Sequence, residues 1–420
     1  MRDEAIYECK VNTNIDGDTF VGIRSDGDKI VVCFPLGYKL GENDAEKKKD
    51  IQLLIRVLSR FAGIKEKLLP QMLIKNPETV NFPIQAYLNI LDDYYTRNGY
   101  YTENEVVYRT NNKRPANWSR TIRTKKAYPQ DGSFVYLDTV ARETIVDSSN
   151  MITKINQFCV EESYKKIGWL FTSKVPPKST IPFQEKVFLT TIQDKLSHTN
   201  NTNNKLLFSS MIDMIQYVGK KGQNAKFFFG TDRFEYVWEK MIDFNFGIDG
   251  KDYYFPRTTW FLGAKGTHAK SALEPDTIML TDEKGKVFIL DAKYYKYGAT
   301  TDPADLPRST SINKQITYGE YVATEAKFKD NNGISPIVYN AFLMPYNCCE
   351  LPFRSGKNML HIGEARGDWK TSGAEYENVQ GVLLDVKWLM SKCIRQNKKD
   401  ISELASIIEN VFKKTVTGAG

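Results

Sequence analysis

The chain has 420 residues, of which 41% are hydrophobic and 12% aromatic. This is enough apolar material for two or three domains with buried cores, so we exclude a largely disordered protein. Its formal charge of +7 is compatible with a nucleic-acid partner but is equally common in basic enzymes that have none.

The sequence does not favour a zinc centre, a secreted protein or a membrane protein. None of its six cysteines has C-x-x-C spacing, and its three histidines form no H-E-x-x-H motif. The first residues lack the apolar core of a secretion signal, and no apolar run approaches the length of a membrane span. We therefore expect a cytoplasmic protein with reduced cysteines and no membrane contact.

Turn signals and apolar spacing predict an N-terminal α+β domain at residues 1–200. Asp26-Gly27 joins two short β-type runs, which is a strong hairpin signal. The run HTNNTNNK at 198–205 contains no apolar residue, so we predict a loop there and place the domain boundary beside it. The elements predicted before the boundary are a hairpin at 19–33, helices at about 44–63 and 83–97, a strand at 128–143 and a helix at 150–172.

The remaining residues, 201–420, are predicted to form an α/β domain in which helices flank a mixed sheet. The final helix begins near Asp400 and Glu403, which have capping-box spacing. The other elements predicted here are helices at 206–218, from Thr231 and at 309–328, a hairpin at 276–295, and strands at 336–344 and 379–386.

The hairpin at 276–295 carries the strongest chemical pattern. If it folds about Glu283 and Lys284, Asp276 lies directly opposite Asp291. Facing residues of antiparallel strands have Cβ atoms about 4.5–5.5 Å apart. Lys293 shares the face of Asp291 because side chains alternate along a strand. One hairpin would therefore bring two carboxylates and one amine together.

Two carboxylates at that spacing repel each other unless a cation lies between them. Mg²⁺ prefers oxygen ligands and phosphates, and it can activate a bound water and neutralise charge on a phosphodiester. The pattern therefore indicates Mg²⁺ as the cofactor and Asp276, Asp291 and Ala292 as its site. Lys293 would hold the attacking water or stabilise the pentavalent phosphorane. The alternative is an exposed hairpin with scattered charges.

Two further features bear on this assignment. Asp385-Val386-Lys387 repeats the Asp-x-Lys spacing, but no Pro-Asp strand precedes it at hairpin distance, so we do not expect it to be catalytic. The helix predicted from Thr231 places its apolar residues on one face and Glu235 and Glu239 on another edge. We assign Glu235 to the catalytic and metal site. Glu239 at the metal, or a solvated position for both, is the alternative.

At these residues the chain resembles the PD-(D/E)xK nuclease superfamily, to which many restriction endonucleases belong. Pro275-Asp276 matches the PD element, Asp291-Ala292-Lys293 matches the (D/E)xK element, and Phe234-Glu235 is similar to the glutamate carried by a preceding helix. The resemblance implies a restriction-endonuclease-like core in the C-terminal half, a mixed sheet flanked by helices. It also implies a supporting role for Gln315, although a Gln-x-x-x-Tyr pattern would need tyrosine at 319, where this chain has glycine.

More narrowly, phrases spread over about residues 20–390 resemble the LlaJI family of restriction endonucleases. They are FVGI, FPLGY, NWSRTI, FEYVWEKMID, DAKYYKYG and STSINKQITYGEY. The resemblance implies Mg²⁺-dependent cleavage of double-stranded DNA at a specific sequence, in a restriction–modification system that acts in phage defence. A cognate DNA methyltransferase would protect the host.

The same resemblance implies kinship with the nuclease subunits of McrBC-like systems, which work with an AAA+ GTPase. This chain has no P-loop, so such a GTPase would be a separate chain. A nuclease subunit that cleaves only with that partner is thus the alternative to a self-sufficient endonuclease. A homodimer is a further open alternative, and the 1–200 domain would serve DNA recognition, partner binding or both.

A basic stretch at residues 109–126 is the candidate for holding DNA. It contains no acidic residue, and such a stripe releases counterions when it contacts phosphates. The alternative is a solvated basic loop that its tryptophan anchors to the core. The candidate DNA-binding residues are Arg109, Lys113, Arg114, Trp118, Arg120, Arg123, Lys125 and Lys126.

Overall fold

The computed structural model describes residues 7–15, 18–26, 29–62, 82–147, 150–171, 175–222, 226–393 and 397–417. The chain divides into two units. The first combines Met1–Asn81 with Lys226–Gly420, and the second is Phe82–Ala225. Among the described residues, no helix has both the length and the apolar character needed to cross a membrane.

The described residues contain strands and α-helices throughout both units. In chain order the strands are β1 (Tyr7–Val11), β2 (Val21–Asp26), β3 (Lys29–Phe34), β4 (Glu103–Thr110), β5 (Tyr128–Gln130), β6 (Ser133–Val135), β7 (Val140–Asp147), β8 (Phe228–Thr231), β9 (Arg257–Phe261), β10 (Thr267–Ala272), β11 (Thr277–Leu280), β12 (Lys286–Ala292), β13 (Ile337–Tyr346), β14 (Met359–Arg366) and β15 (Asn378–Asp385). The helices are α1 (Asp44–Ala62), α2 (Ile84–Arg97), α3 (Trp118–Thr124), α4 (Met151–Ile167), α5 (Glu185–His198), α6 (Thr202–Lys221), α7 (Phe234–Phe246), α8 (Tyr297–Thr300), α9 (Ser309–Thr324), α10 (Val386–Lys392) and α11 (Lys398–Thr417).

A five-stranded mixed sheet in the order β11-β12-β13-β15-β14 forms the centre of the first unit. The three inner strands are parallel, and the two edge strands run antiparallel to their neighbours. The apolar run before Asp291 is fully buried in β12, as expected for a strand covered on both faces. Helix α9 packs on the sheet through Tyr318 and Val322, and Trp238 of α7 donates a hydrogen bond to the carbonyl of Leu343 at 3.2 Å. The predicted α/β class, a mixed sheet flanked by helices, is confirmed.

A second sheet of the first unit, in the order β1-β3-β2-β8, contains the predicted hairpin. Strands β2 and β3 are antiparallel, with Asp26 paired to Lys29, and the residues that join them lie outside the described part of the chain. Strand β2 also pairs with β8, where Gly22 lies opposite Gly230. A Cβ on Gly22 would approach the carbonyl oxygen of Phe229 to 2.2 Å, so this crossing requires glycine.

The second unit packs α2, α4, α5 and α6 around an aromatic core, beside the two-stranded sheet β4-β7. The ring centroids of Phe82 and Tyr87 lie 4.4 Å apart, and those of Phe158 and Phe188 lie 5.4 Å apart. The predicted helices at 83–97 and 150–172 are confirmed by α2 and α4. The single strand predicted at 128–143 is instead the short hairpin β5-β6, followed by β7.

The division into units differs from the predicted boundary near residue 200. The polar run at 198–205 covers the last residue of α5, a short connection at 199–201 and the first turn of α6, all inside the second unit. Its asparagines begin a helix: the side chain of Asn201 accepts a hydrogen bond from the backbone N–H of Asn204 at 3.1 Å, which is an N-cap. The N-terminal strands belong instead to the same unit as the five-stranded sheet. One contact between these two parts of the chain is the hydrogen bond from the N–H of Leu36 to the hydroxyl of Tyr294, at 2.7 Å.

Candidate active site

The hairpin β11-β12 has the predicted register. Thr277 pairs with Leu290 and Leu280 with Val287, so the next position outward sets Asp276 opposite Asp291. Gly285 lies in the connecting turn with a φ of +84°, a conformation that glycine adopts without strain. The sequence therefore predicted the placement of both carboxylates.

Asp276 is held from two sides. The backbone N–H of Ala292 donates to Asp276 Oδ2 at 2.8 Å. The ammonium of Lys251 donates to the backbone carbonyl of Asp276 at 2.5 Å and forms an ion pair with Asp243 at 2.8 Å. Burial raises the pKa of Asp276 to about 8, and the carboxyls of Asp291 and Glu239 add to that rise.

Asp291 and Lys293 form a buried ion pair. Asp291 is only 4% exposed, and the Nζ atom of Lys293 lies 2.5 Å from its Oδ2 atom. Burial opposes the charged form of Lys293, but Asp291 and Asp276 outweigh it and raise the pKa of the lysine overall. Lys293 is therefore an ammonium at neutral pH and can donate hydrogen bonds and positive charge but cannot accept a proton.

The two glutamates of α7 occupy different surroundings. Glu235, which is expected at the metal from the sequence, forms an ion pair with Arg233 at 3.1 Å. Burial raises the pKa of Glu239, and the charge of Asp291 raises it further. The structure thus brings Glu239, the alternative, into the electrostatic environment of the two aspartates. Glu239 lies one turn further along the helix, and sequence spacing alone could not decide which turn meets the hairpin.

Lys314 of α9 was not singled out in the sequence. Burial lowers its pKa, but Tyr318, Asp291 and Asp276 together outweigh burial and raise the pKa overall. Its Nζ atom lies 5.5 Å from the centre of the Tyr318 ring. A second ammonium therefore lies within electrostatic reach of the acidic pair. Its only signal in the sequence is its place beside Gln315, which indicates no charge partner.

Gln315 is buried under the sheet. Its side-chain amide donates to the backbone carbonyl of Ile289 at 2.7 Å and contacts the side chain of Asn340 at 3.5 Å. Ile289 lies two residues before Asp291 on β12. In this position Gln315 stabilises β12, the strand that carries Asp291.

The second Asp-x-Lys copy has structural partners. Asp385 accepts hydrogen bonds from the N–H of Trp388 at 2.8 Å and from the N–H of Cys348 at 3.0 Å. It thereby caps α10. Lys387 forms an ion pair with Asp50 at 2.7 Å.

The donor set of the hairpin fits a hard divalent cation. Among the described residues, no group of three or more histidine, cysteine, aspartate or glutamate side chains is arranged to hold a metal ion. Mg²⁺ does not require such a cage, because it keeps several waters and binds through one or two carboxylates together with substrate phosphates. Asp276 and Asp291 supply two carboxylates whose mutual repulsion a cation would relieve.

The basic stretch at 109–126 lies in the second unit, from the end of β4 to just past α3. Trp118 is 56% exposed and meets Tyr136 edge-on instead of entering the core. Arg120 stacks on Tyr108, with its guanidinium carbon 3.6 Å from the ring centre. Arg114 lies 3.8 Å from Glu143. Arg109, Lys113, Arg123 and Lys126 are exposed, and Lys125 donates to the hydroxyl of Thr110.

Comparison with known proteins identifies a family for this chain but no matching curated protein. Among curated proteins, nothing matches the chain. A solved complex of McrB AAA+ hexamers with bound McrC from Thermococcus gammatolerans is similar over 92% of this chain and 83% of that one, at 14% identity and a TM-score of 0.36. That similarity is too low to support an argument. The sequence model of the LlaJI restriction endonuclease family, in contrast, matches residues 20–358. This chain therefore belongs to the LlaJI restriction endonuclease family, a family of DNA-cleaving hydrolases.

Proposed function

We propose that this chain is a Mg²⁺-dependent type II restriction endonuclease that hydrolyses double-stranded DNA at a specific sequence. The observation that carries the proposal is the register of one hairpin, which sets Asp276 opposite Asp291 with Lys293 in contact. Two carboxylates and an ammonium on one strand pair match the (D/E)xK arrangement of PD-(D/E)xK nucleases.

Asp276 and Asp291 are the residues that would hold the cation, and the nearby charge of Glu239 would add to its attraction. When bound, Mg²⁺ would activate a water and neutralise charge on the phosphodiester. Ala292 contributes its N–H, which fixes one oxygen of Asp276. Glu235, the candidate indicated by the sequence, would act only indirectly, because it already forms an ion pair with Arg233.

Lys293 acts on the substrate as a cation. Its raised pKa keeps it protonated, so it would donate a hydrogen bond to a phosphate oxygen or to the attacking water. Asp291 orients the ammonium through the 2.5 Å ion pair. The negative charge that develops on the phosphate in the transition state would be stabilised by this lysine.

A cognate DNA methyltransferase would protect the host sites. The basic stretch at 109–126 would supply phosphate contacts for the same substrate. The sequence-based alternative, a nuclease subunit that cleaves only with a separate AAA+ GTPase, uses the same site and predicts a different requirement for cleavage.

Digestion of methylation-free plasmid DNA tests the proposal. Purified protein with Mg²⁺ should give discrete fragments, and EDTA or Asp291→Ala should prevent cutting. Random degradation would contradict sequence specificity, and cutting by Asp291→Ala would contradict the assignment of the site. If cleavage required GTP together with an AAA+ protein, the subunit alternative would replace the proposal.

A further inference from the structure

We infer that the β-ribbon formed by β9 and β10 is a second DNA-binding element, which enters a groove of the duplex beside the cleavage site. This inference rests on the proposed nuclease function. The sequence predicts DNA contacts only at residues 109–126, which lie in the other unit.

The ribbon is a two-stranded antiparallel sheet whose strands pair only with each other. Phe261 faces Thr267 and Trp260 faces His268 across the strand pair. Gly263 and Gly266 have positive φ angles of +58° and +79° and close the turn at its tip. Every residue of β9 is exposed, so both faces of this strand meet solvent. The major groove of B-DNA accommodates a two-stranded ribbon of this kind.

The charge of the ribbon is uniformly positive. Arg257, Lys265 and Lys270 lie on it, and residues 253–273 contain no aspartate or glutamate. All three cationic side chains are exposed. A polyanion is therefore the complementary partner, and each phosphate contact would release counterions.

Two large aromatic side chains of the ribbon are also exposed to solvent. Trp260 is 59% and Phe261 79% exposed, at the end of β9 next to the tip. Adjacent exposed aromatic residues on a protein surface mark a site of interaction with a partner. Aromatic side chains can contact thymine methyl groups in the major groove or wedge between base steps in the minor groove.

The chain connects the ribbon directly to the catalytic hairpin. The N–H of Leu273 donates to the carbonyl of Pro256 at 2.8 Å and closes the base of the ribbon. Ala272, the last residue of β10, precedes Asp276 by four residues, a span of at most about 14 Å. Strand β9 is about 17 Å long. A ribbon of this length, attached this close to the catalytic hairpin, can contact the same duplex whose scissile phosphate would lie at Asp276.

Salt-dependent DNA binding tests the ribbon separately from cleavage. The full chain carrying Asp291→Ala, with EDTA present, is titrated onto a labelled duplex at several salt concentrations. Adding Arg257→Ala, Lys265→Ala and Lys270→Ala should weaken binding and reduce the slope of log K against log salt by up to about 0.9 for each phosphate that the variant no longer neutralises. The matched control replaces three exposed lysines of the same unit, Lys284, Lys329 and Lys399, and should leave the slope unchanged.

A second variant separates groove contact from simple attraction. Trp260→Ala with Phe261→Ala should weaken duplex binding about fivefold or more without changing the salt slope, because apolar contacts release no counterions. Duplex affinity and slope equal to the parent in both ribbon variants would overturn the inference, as would an absence of DNA binding by the parent. A change in self-association with unchanged DNA binding would assign the ribbon to a protein contact and likewise overturn it. Cleavage by the unsubstituted protein reports on the nuclease proposal independently of these results.

Discussion

The backbone N–H of Ala292 donates to Asp276 Oδ2, 2.8 Å away, just beyond the last strand pair of the catalytic hairpin, which is Thr277 with Leu290. This bond joins the two motif elements, Pro-Asp and Asp-x-Lys, through one residue between Asp291 and Lys293. Because the partner strand holds one oxygen of Asp276, the orientation of the whole carboxylate is set by the hairpin. The geometry of the site therefore depends on the register of two strands more than on any single side chain.

Asp291→Ala is expected to abolish cleavage while duplex affinity changes little. The carboxylate would hold the cation and it orients Lys293, whereas DNA affinity comes mainly from phosphate contacts elsewhere. Removing Asp291 also leaves the half-buried ammonium without its nearest partner, so some loss of stability should accompany the loss of activity. Cleavage, anisotropy with duplex DNA and thermal unfolding measure the three effects.

Asp385→Ala is the matched control, since it removes the carboxylate of the other Asp-x-Lys copy. It deletes the cap of α10, which costs about 0.5–2 kcal/mol, but the remaining folded protein should cut. A folded Asp385→Ala protein without activity, together with an active Asp291→Ala protein, would reverse the assignment.

The hairpin could be predicted from the sequence because its information is local. Apolar runs on both sides of a glycine-containing turn fix the strand register, and the register fixes which residues face each other. The facing positions of Asp276 and Asp291 could therefore be predicted by counting residues outward from the turn. The buried strand that carries Asp291 was similarly evident from its unbroken apolar run.

Features that depend on distant contacts could not be predicted. The pairing of β2 with β8 joins residues about 200 positions apart and sets the N-terminal strands in the nuclease unit. The choice between Glu235 and Glu239 depends on the rotation of α7 about its axis. Trp238 fixes that rotation by its hydrogen bond to the carbonyl of Leu343 on β13. Lys314 likewise comes within electrostatic reach of Asp276 and Asp291 only through tertiary packing.

Glu239→Gln and Glu235→Gln form a matched pair on one helix. Glu239→Gln should raise the Mg²⁺ concentration needed for half-maximal cleavage and slow the reaction at least tenfold, which is about 1.4 kcal/mol of barrier. Glu235→Gln should stay close to wild type, because its charge is already neutralised by Arg233. Cleavage rates across a Mg²⁺ titration decide between them. The opposite ranking would restore Glu235 to the site.

Gln315→Met should destabilise the protein before it affects the chemistry. Methionine has a similar size but leaves the carbonyl of Ile289 without its side-chain donor, which costs about 1–3 kcal/mol. Thermal unfolding should register a loss of several degrees, while the Mg²⁺ dependence of the folded protein stays as in wild type. Asn313→Ala, at an exposed position of the same helix, is the control. A changed Mg²⁺ dependence without destabilisation would mean that Gln315 acts on the metal site.

The basic stretch of the second unit should contribute affinity and not catalysis. Replacing Arg120, Arg123, Lys125 and Lys126 with alanine should weaken duplex binding and flatten its salt dependence by about 0.9 log units for each phosphate left without its cationic side chain. The single-turnover rate at saturating protein should be unchanged. An equal number of exposed lysines in that unit provides the control: Lys178, Lys186, Lys205 and Lys220. Unchanged binding in the first variant would leave the stretch as a solvated surface.

The raised pKa of Asp276 predicts a specific pH dependence of stability in the metal-free protein. An unfolded aspartate titrates near pH 3.9, whereas burial and the neighbouring carboxyls raise the pKa of Asp276 to about 8. Between these values the native state binds more protons than the unfolded state, so this group's contribution to stability is complete below about pH 4 and is lost as the pH rises to about 8. Asp276→Asn keeps the shape and an oxygen that can accept the N–H of Ala292, but it stays neutral.

The variant should therefore unfold at a higher temperature than wild type at pH 9 in EDTA, and this advantage should disappear near pH 4. Mg²⁺ should reverse the order at high pH, because it stabilises a native protein that binds it and the variant has lost one carboxylate. Asp249→Asn, at an exposed position in the same unit, controls for the loss of one negative charge. If the difference in unfolding temperature between Asp276→Asn and wild type did not change with pH, Asp276 would be an ordinary carboxylate. The two aspartates of the hairpin would then not share the close, dehydrated site on which a common cation depends.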